Sequence, residues 1–259
     1  MKPMTFCLTF DDGLLAQARV AAPLLEQHGW HGVFAVPTEI VTRGEVTAQQ
    51  AKDMCLVGNE RNVMSWDDVR RLMAHGHTVC PHTCTHADLE TLEREGRLDL
   101  VEKEIADSKA QLARETGVSP TLFCLPHCSG SSDVMGLVRK HGMEPINGVG
   151  KWRVNFGEHS DDGQSYSDIT SFLQRFYWFG FAHVDVMIHG VVRAEGGWRP
   201  FEDAAAFERF LQAIQAEVDA GRVRVVDYAE GHRGPAQTRF RDFAFKVKRH
   251  LLRVKVPEI

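Results

Sequence analysis

Short apolar runs alternate with longer stretches of helical periodicity along almost the whole chain. Apolar runs bounded by turn residues predict buried strands, whereas apolar positions three and four residues apart predict helices. Strands are predicted at residues 4–10, 32–36, 78–80, 121–124, 144–149, 184–188 and 223–226. Helices are predicted at residues 14–29, 48–54, 65–76, 99–116, 133–141 and 202–220, with the rest of 38–63 a polar excursion and 150–165 irregular.

Strands and helices that alternate in this way are typical of a parallel sheet covered by helices, either open or closed into a barrel. Residues 1–230 show no linker and no internal repeat, and an α/β barrel of this length is usually one domain. We therefore expect a single α/β domain over residues 1–230. In both architectures the functional groups gather at the C-terminal ends of the strands.

The composition is that of an ordinary globular protein, with 43% hydrophobic residues and a net charge of −5. This acidic balance gives no reason to expect a nucleic-acid partner. No apolar run approaches the roughly 20 residues that a membrane span needs. The N-terminus passes into the first predicted strand without the apolar core of a signal peptide, so we expect a cytoplasmic protein.

The six cysteines have no regular disulfide spacing. Cys80 and Cys84 bracket His82, so a Cys/His metal cluster is one interpretation. The favoured alternative is that the cysteines are reduced thiols that serve as small apolar fillers.

Four predicted strands each end at polar residues that could bind a metal ion or take part in a reaction. These residues are Asp11 and Asp12, His82 and His86, Pro126 and His127, and His189. Asp-Asp-Gly alone is a common turn sequence. Two histidines four apart with an acid from elsewhere, however, can form a three-ligand metal site with open positions for water. Such a site suits Zn²⁺, and Co²⁺, Ni²⁺, Mn²⁺ or Fe²⁺ would also fit.

Three motifs resemble those of the polysaccharide deacetylases with a NodB homology domain, carbohydrate esterase family four. They are Thr9-Phe10-Asp11-Asp12-Gly13, His82-Thr83-Cys84-Thr85-His86 with Asp88-Leu89 after it, and Met187-Ile188-His189-Gly190. The segments 65–69 and 76–79 supply supporting context before the histidine motif. The resemblance extends over roughly residues 4–230.

The resemblance implies a distorted (β/α)7 barrel that holds one divalent metal ion, and of the ions that suit the donors we expect Zn²⁺. Asp12, His82 and His86 would then be the metal ligands. Asp11 would be the general base and His189 the general acid. The oxyanion would be stabilised by the metal and by the backbone N–H of His127, which follows Pro126.

Two of the usual family motifs are altered in this chain. The third motif usually contains an arginine that orients the catalytic aspartate, but the matching stretch here begins at Cys124 and has none. Arg175 is a candidate replacement, although a solvated surface arginine is equally consistent with the sequence. The Asp-x-x-Asp-Trp motif that supports the acid histidine is also missing, and Asp185, on the same face of the strand as His189, is a possible partner.

The aromatic residues Trp178, Phe179 and Trp198 could form a wall for the sugar or acyl group, or could simply pack in the core or rim. The last segment, residues 231–259, has eight basic side chains against two acidic ones. Its apolar positions have helical spacing, so a basic C-terminal helix is predicted. We favour a helix docked on the barrel over one that lies on an anionic membrane surface.

Three functions remain open from the sequence. The first is a metal-dependent hydrolase that removes an N-acetyl or related N-acyl group from a carbohydrate, such as a cytoplasmic or lipid-linked glycan intermediate. The second is a hydrolase of the same fold that acts on an O-acetyl ester, a formamido sugar or a small cyclic amide. The third is a non-catalytic carbohydrate-binding barrel, which the presence of all five candidate site residues disfavours.

Overall fold

The computed structural model describes residues 3–58, 61–148, 153–158, 169, 173 and 183–231. The strands are β1 (Met4–Phe10), β2 (Gly32–Val36), β3 (Thr78–Pro81), β4 (Leu122–Phe123), β5 (Glu144–Pro145), β6 (Arg153–Asn155), β7 (His183–Ile188) and β8 (Val223–Val225). The helices are α1 (Ala22–Gln27), α2 (Thr38–Arg43), α3 (Ala48–Asp53), α4 (Trp66–Ala74), α5 (Leu89–Arg94), α6 (Leu98–Thr116), α7 (Ser132–Lys140), α8 (Ala204–Asp219) and α9 (Tyr228–Gly231). A π-helical turn, Gln17–Ala21, precedes α1, and a single 3-10 turn spans Pro126–Cys128.

The strand β1 lies at the centre of a parallel sheet with the order β3-β2-β1-β7-β6. On one side it pairs with β7 along almost its whole length. It pairs with β2 only at its C-terminal half and with β8 only at its N-terminal half. The short parallel pair β4-β5 follows β3, where the N–H of Cys124 donates to the carbonyl of Pro81 at 3.0 Å. All these strands point the same way, so their C-terminal ends share one rim.

The two faces of β1 contact different cores. Phe6, Leu8 and Phe10 lie on the face that packs against the helices, where the ring of Phe10 stacks on Phe34 at 4.7 Å. Cys7, on the opposite face, belongs to a smaller cluster of mostly small side chains inside the curved sheet. Because side chains alternate along a strand, Thr9 and Asp11 continue that inner face toward the rim.

Local sequence signals set the ends of the longer helices. Ser65 accepts a hydrogen bond from the backbone N–H of Asp68, and Asp68 accepts one from the N–H of Ser65, which is a capping box at the start of α4. The helix α6 ends at Gly117, whose φ of 74° is a left-handed conformation that favours glycine.

Several predicted elements need correction. The predicted helix 14–29 begins with the π-helical turn, because the side chain of Gln17 faces inward and binds backbone groups. The short helices α2, α5 and α9 were not predicted. The strand β6 lies within the stretch predicted to be irregular, since three residues with a buried arginine do not have the composition of a strand.

Among the described residues, no helix is both long and apolar enough to cross a membrane. The predicted basic C-terminal helix falls on residues 232–259, which lie outside the described part of the chain.

Candidate active site

The turn after β1 separates the two adjacent carboxylates. Asp11 follows the strand directly, and its N–H donates to the carbonyl of Ile188 at 3.1 Å. Asp12 has a φ of 79°, which is uncommon for any residue other than glycine. The backbone therefore turns between the two residues, and the buried side chains of Asp11 and Asp12 contact different partners.

Asp12 lies beside both histidines of the His-x-x-x-His motif. Its Oδ1 is 3.4 Å from Nε2 of His82 and 3.2 Å from Nε2 of His86. One ligand atom from each of the three residues lies within 4.8 Å of the other two. His86 has a φ of 65°, and backbone strain of this kind is common where a functional site fixes a side chain.

The three side chains fit a divalent metal ion. Nδ1 of His82 lies 2.9 Å from the carbonyl oxygen of Cys124, which can only accept, so Nδ1 carries a proton and Nε2 is the nitrogen that can bind a metal ion. Two imidazole nitrogens and one carboxylate oxygen then converge on one buried point, which is a common donor set for catalytic Zn²⁺ and related ions. Burial alone would raise the pKa of Asp12, but His189 and the hydrogen bonds from His82 and His86 hold it well below its usual value.

A buried arginine that the sequence did not reveal holds Asp11. The two terminal nitrogens of Arg153 donate to the two carboxylate oxygens of Asp11 at 2.6 and 2.7 Å. One of them also donates to Oγ1 of Thr9 at 2.6 Å. Burial alone would raise the pKa of Asp11, but the charge and hydrogen bonds of Arg153 lower it to about 2. Arg153 from β6 therefore makes the contact with Asp11 that was expected of the missing third-motif arginine.

His189 follows β7 at the same rim. Its Nδ1 lies 2.9 Å from Oδ1 of Asn155, which accepts the hydrogen bond and leaves Nε2 for another partner. The rings of His189 and Trp198 meet edge to face at 5.5 Å. Burial lowers the pKa of His189, although the charges of Asp12 and Asp11 oppose this effect.

The expected partner of His189, Asp185, lies elsewhere. Asp185 contacts Nε2 of His183 at 3.0 Å. Both Asp185 and His189 alternate onto the same face, as expected, but four residues of extended chain separate them by about 13 Å. Asn155, on the neighbouring strand β6, is the residue that contacts the imidazole.

Gln17 joins the two catalytic candidates through their backbones. Its Nε2 donates to the carbonyl of Asp11 at 2.6 Å and to the carbonyl of His189 at 2.8 Å. Its Oε1 accepts from the N–H of Leu14 at 3.2 Å. Gln17 begins the π-helical turn, and such turns occur frequently at functional sites.

The other predicted site residues divide into two groups. Pro126 is buried at the start of the 3-10 turn, and His127 has a φ of 59° with its ring 4.9 Å from that of His86. His127 is thus next to the metal-ligand candidates. Arg175, Trp178 and Phe179 lie outside the described residues.

All six cysteines are free. Cys80 and Cys124 pack in the inner cluster, and burial raises the pKa of both thiols. Cys124 lies at the edge of the site, with Sγ 3.5 Å from Oδ2 of Asp11. A filler role suits Cys80, whereas Cys124 also contacts the groups that hold the candidate base.

Two carboxylates and three histidines gather at the C-terminal rim of this parallel sheet, which is where α/β barrels carry their functional groups. The family model for polysaccharide deacetylases matches residues 1–146, which is more than half of the chain. The chain therefore belongs to the polysaccharide deacetylase family.

Known proteins resemble the chain at low sequence identity. A chitin deacetylase of Pestalotiopsis sp is 26% identical over 146 residues, which are 56% of this chain and 41% of that protein. The chain thus spans less than half of the length of this relative. In fold it resembles the Bc1960 peptidoglycan N-acetylglucosamine deacetylase, with a TM-score of 0.60, 17% identity and 88% of each chain covered. It also resembles BA3943 of Bacillus anthracis, described as a pseudoenzyme of carbohydrate esterase family four, with a TM-score of 0.60, 15% identity, and 89% and 65% of the two chains covered.

These similarities confirm the predicted fold class, a distorted (β/α) barrel of the NodB-homology type. The parallel sheet curved around the inner cluster is the part of that barrel that positions the site.

Proposed function

We propose that this protein is a metal-dependent hydrolase that removes an N-acetyl or related N-acyl group from a carbohydrate. One arrangement carries the proposal: a carboxylate fixed by a bidentate arginine, Asp11, lies beside the convergent group Asp12, His82 and His86. The family membership and the chitin and peptidoglycan deacetylases among its relatives support the same chemistry.

Asp12, His82 and His86 would hold the metal ion. A divalent ion in this position supplies Lewis acidity, which lowers the pKa of water and polarises an acyl carbonyl. Asp11 keeps an ionised carboxylate at neutral pH, because Arg153 holds its pKa at about 2. Each carboxylate oxygen has a second lone pair besides the one that accepts from Arg153, so Asp11 can also accept a proton from an attacking water.

His189 would complete the reaction as the general acid. Its Nδ1–H donates to Oδ1 of Asn155, which fixes the ring and leaves Nε2 pointing away from Asn155. A protonated Nε2 can deliver the proton that a departing amine needs. Trp198 beside the ring would contribute an apolar wall for the acyl group or the sugar.

A second candidate function is carbohydrate binding without turnover. The resemblance to BA3943, described as a pseudoenzyme, is the observation in its favour. The base and acid candidates both stand beside the metal-ligand candidates here, so the hydrolase is the better-supported reading.

The test measures metal content and acetate release together. Purified protein should hold about one divalent ion at this site per chain and release acetate from at least one member of a panel of N-acetyl sugars, nucleotide sugars, chitin and peptidoglycan fragments, and lipid-linked glycans. The same panel with O-acetyl and N-formyl substrates separates the alternatives. Asp11→Asn should keep the metal and lose hydrolysis.

Two results would contradict the proposal. Full activity of Asp11→Asn would remove Asp11 as the base. Binding of a glycan from the panel without release of any acyl group, by metal-loaded protein, would instead favour the non-catalytic function.

A further inference from the structure

A second cluster of metal-binding side chains lies at the opposite end of the strands that carry the candidate base and acid. In the parallel pair β1–β7, Thr5 is in register with His183, and Cys7 with Asp185. Residues two apart on a strand share one face, so these four side chains form a compact square on the inner face of the sheet. None of the four belongs to the site proposed above.

The contacts within this cluster resemble those of a metal site. Nε2 of His183 lies 3.0 Å from Oδ1 of Asp185. Nδ1 of the same imidazole lies 2.8 Å from Oγ1 of Thr5, so the ring is fixed and Nε2 is directed toward the carboxylate. One ligand atom from each of Cys7, His183 and Asp185 lies within 4.8 Å of the other two.

The cluster is enclosed but still accessible at one side. Cys7 and Asp185 are 1% and 3% exposed, whereas the His183 side chain is 16% exposed. The backbone of Gly231, at the end of α9, lies against both Cys7 and His183. A Cβ added there would lie 2.6 Å from Sγ of Cys7 and 2.7 Å from Cε1 of His183, so only a glycine leaves the two ligand candidates room.

Three carboxylates act electrostatically on Cys7, those of Asp185, Asp227 and Glu230. A bound divalent ion would offset their negative charge together with that of a thiolate. A thiol that coordinates a metal ion is deprotonated outright.

We propose that Cys7, His183 and Asp185 form a second metal site that takes a thiophilic divalent ion of the Zn²⁺ class. Its donors are one thiolate, one imidazole and one carboxylate, a set that suits Zn²⁺ and Co²⁺ and disfavours Mg²⁺ or Ca²⁺. On binding, the Cys7 thiol loses its proton to solvent and Sγ coordinates the ion. No electron is transferred.

The second site is separate from the proposed catalytic centre in space and in chemistry. Asp11 follows β1 directly and is four residues from Cys7, or about 13 Å of extended chain. The catalytic group Asp12, His82 and His86 has no sulfur, whereas the second site has one. A thiolate ligand therefore serves as a marker for the second site that does not depend on hydrolysis.

The experiment uses the full chain, freed of metal with a chelator and reconstituted with Co²⁺. We expect about two equivalents of Co²⁺ per chain and a near-ultraviolet charge-transfer band from thiolate to cobalt. Cys7→Ser should lose the band and about one equivalent, and His183→Gln should lose the same equivalent. His82→Ala should lose the other equivalent and keep the band.

The controls identify the sulfur. Cys55→Ser, at an exposed cysteine, should change nothing. Cys124→Ser should also keep the band; if the band disappeared there, the thiolate would belong to the group Asp11, His82 and Cys124, and the proposal would be wrong. Circular dichroism on each variant separates a lost ligand from a lost fold, and His183→Gln, which keeps Cys7, provides the second ligand test.

Absence of the band in the reconstituted wild-type chain would overturn the proposal. The cluster would then be a hydrogen-bonded pair of His183 and Asp185 beside a thiol. Because the readout is sulfur coordination, failure here leaves the proposed deacetylase untouched, and failure of acetate release leaves the second site untouched.

Discussion

The two parts of the chain contribute differently to one site. Up to residue 146, where the family model matches, the chain supplies the carboxylates and the histidine pair in the motifs typical of the family. Beyond that point, β6 and β7 supply the acid candidate His189 together with two supports, Arg153 and Asn155, that the usual motifs do not contain. The candidate reacting groups thus lie in motifs typical of the family, whereas the groups that hold them lie outside those motifs.

The parallel sheet explains how supporting residues from outside the usual motifs can reach the site. Arg153 is in register with Asp185, and Asn155 with Met187, so both side chains reach the inner face next to β7 and β1. A bidentate guanidinium has the same effect on Asp11 whichever strand carries it. Asp11 requires a guanidinium in the right position at the rim, and a residue on any of several strands can supply it.

We expect the largest effect from the loss of a metal-ligand candidate, which lies in the first part of the chain. His82→Ala removes one of three ligand candidates and should abolish metal binding at that site, with a loss of activity of about 10³-fold or more. Metal analysis and acetate release measure the two effects. The matched control is His75→Ala, at an exposed histidine paired with Glu26, which should keep both metal and activity.

We expect the next largest effect from substitutions of Arg153, the residue from the second part of the chain that holds Asp11. Arg153→Lys keeps the charge but cannot donate two parallel hydrogen bonds to Asp11, so kcat should fall about 10²-fold with a smaller change in KM. Arg153→Met leaves a buried carboxylate unpaired and should cost about 3 to 5 kcal/mol of unfolding free energy. Arg193→Lys, at an exposed ion pair with Glu202, is the control. Unchanged kcat in Arg153→Lys would contradict a positioning role.

A pH shift tests Asn155. His189 acts as an acid only when protonated, so activity should fall as the pH rises through its pKa, which burial lowers. Asn155→Asp places a negative charge beside the ring, which favours the protonated form and should move this alkaline limb up by about one pH unit. The profile of kcat against pH measures the shift. Asn62→Asp, away from the ring, should leave the limb in place, and an unmoved limb in Asn155→Asp would show that another group titrates.

We expect the smallest effect from a substitution of Gln17, which links the two parts through the backbones of Asp11 and His189. Gln17→Met has a similar shape but leaves the carbonyls of Asp11 and His189 without its hydrogen bonds. We expect a loss of about 2 kcal/mol of unfolding free energy and a change of only a few-fold in kcat. Thermal unfolding and kinetics measure both. Gln212→Met, on the exposed side of α8, is the control, and equal stability of the two variants would mean that Gln17 is not a link.

The sequence predicted most of the strands and the longer helices, because their signals are local. The predicted strand 32–36 is observed as β2, and the predicted helix 99–116 is observed as α6, Leu98–Thr116. The short strand β6 was missed because three residues do not establish a period. A signal for it was nevertheless present: Arg153 and Asn155 alternate with the apolar residues Val154 and Phe156.

The sequence by itself identified the candidates for the reacting groups, since Asp11, Asp12 and the His82–His86 pair each stand at the end of a strand within a short motif. Only the tertiary structure decided what supports them. Arg153 is 142 positions from Asp11 in the chain, and Asn155 is 34 from His189. Residues so far apart in the sequence come into contact only because the parallel strands align their ends at one rim. Register across a sheet is a property of the whole fold.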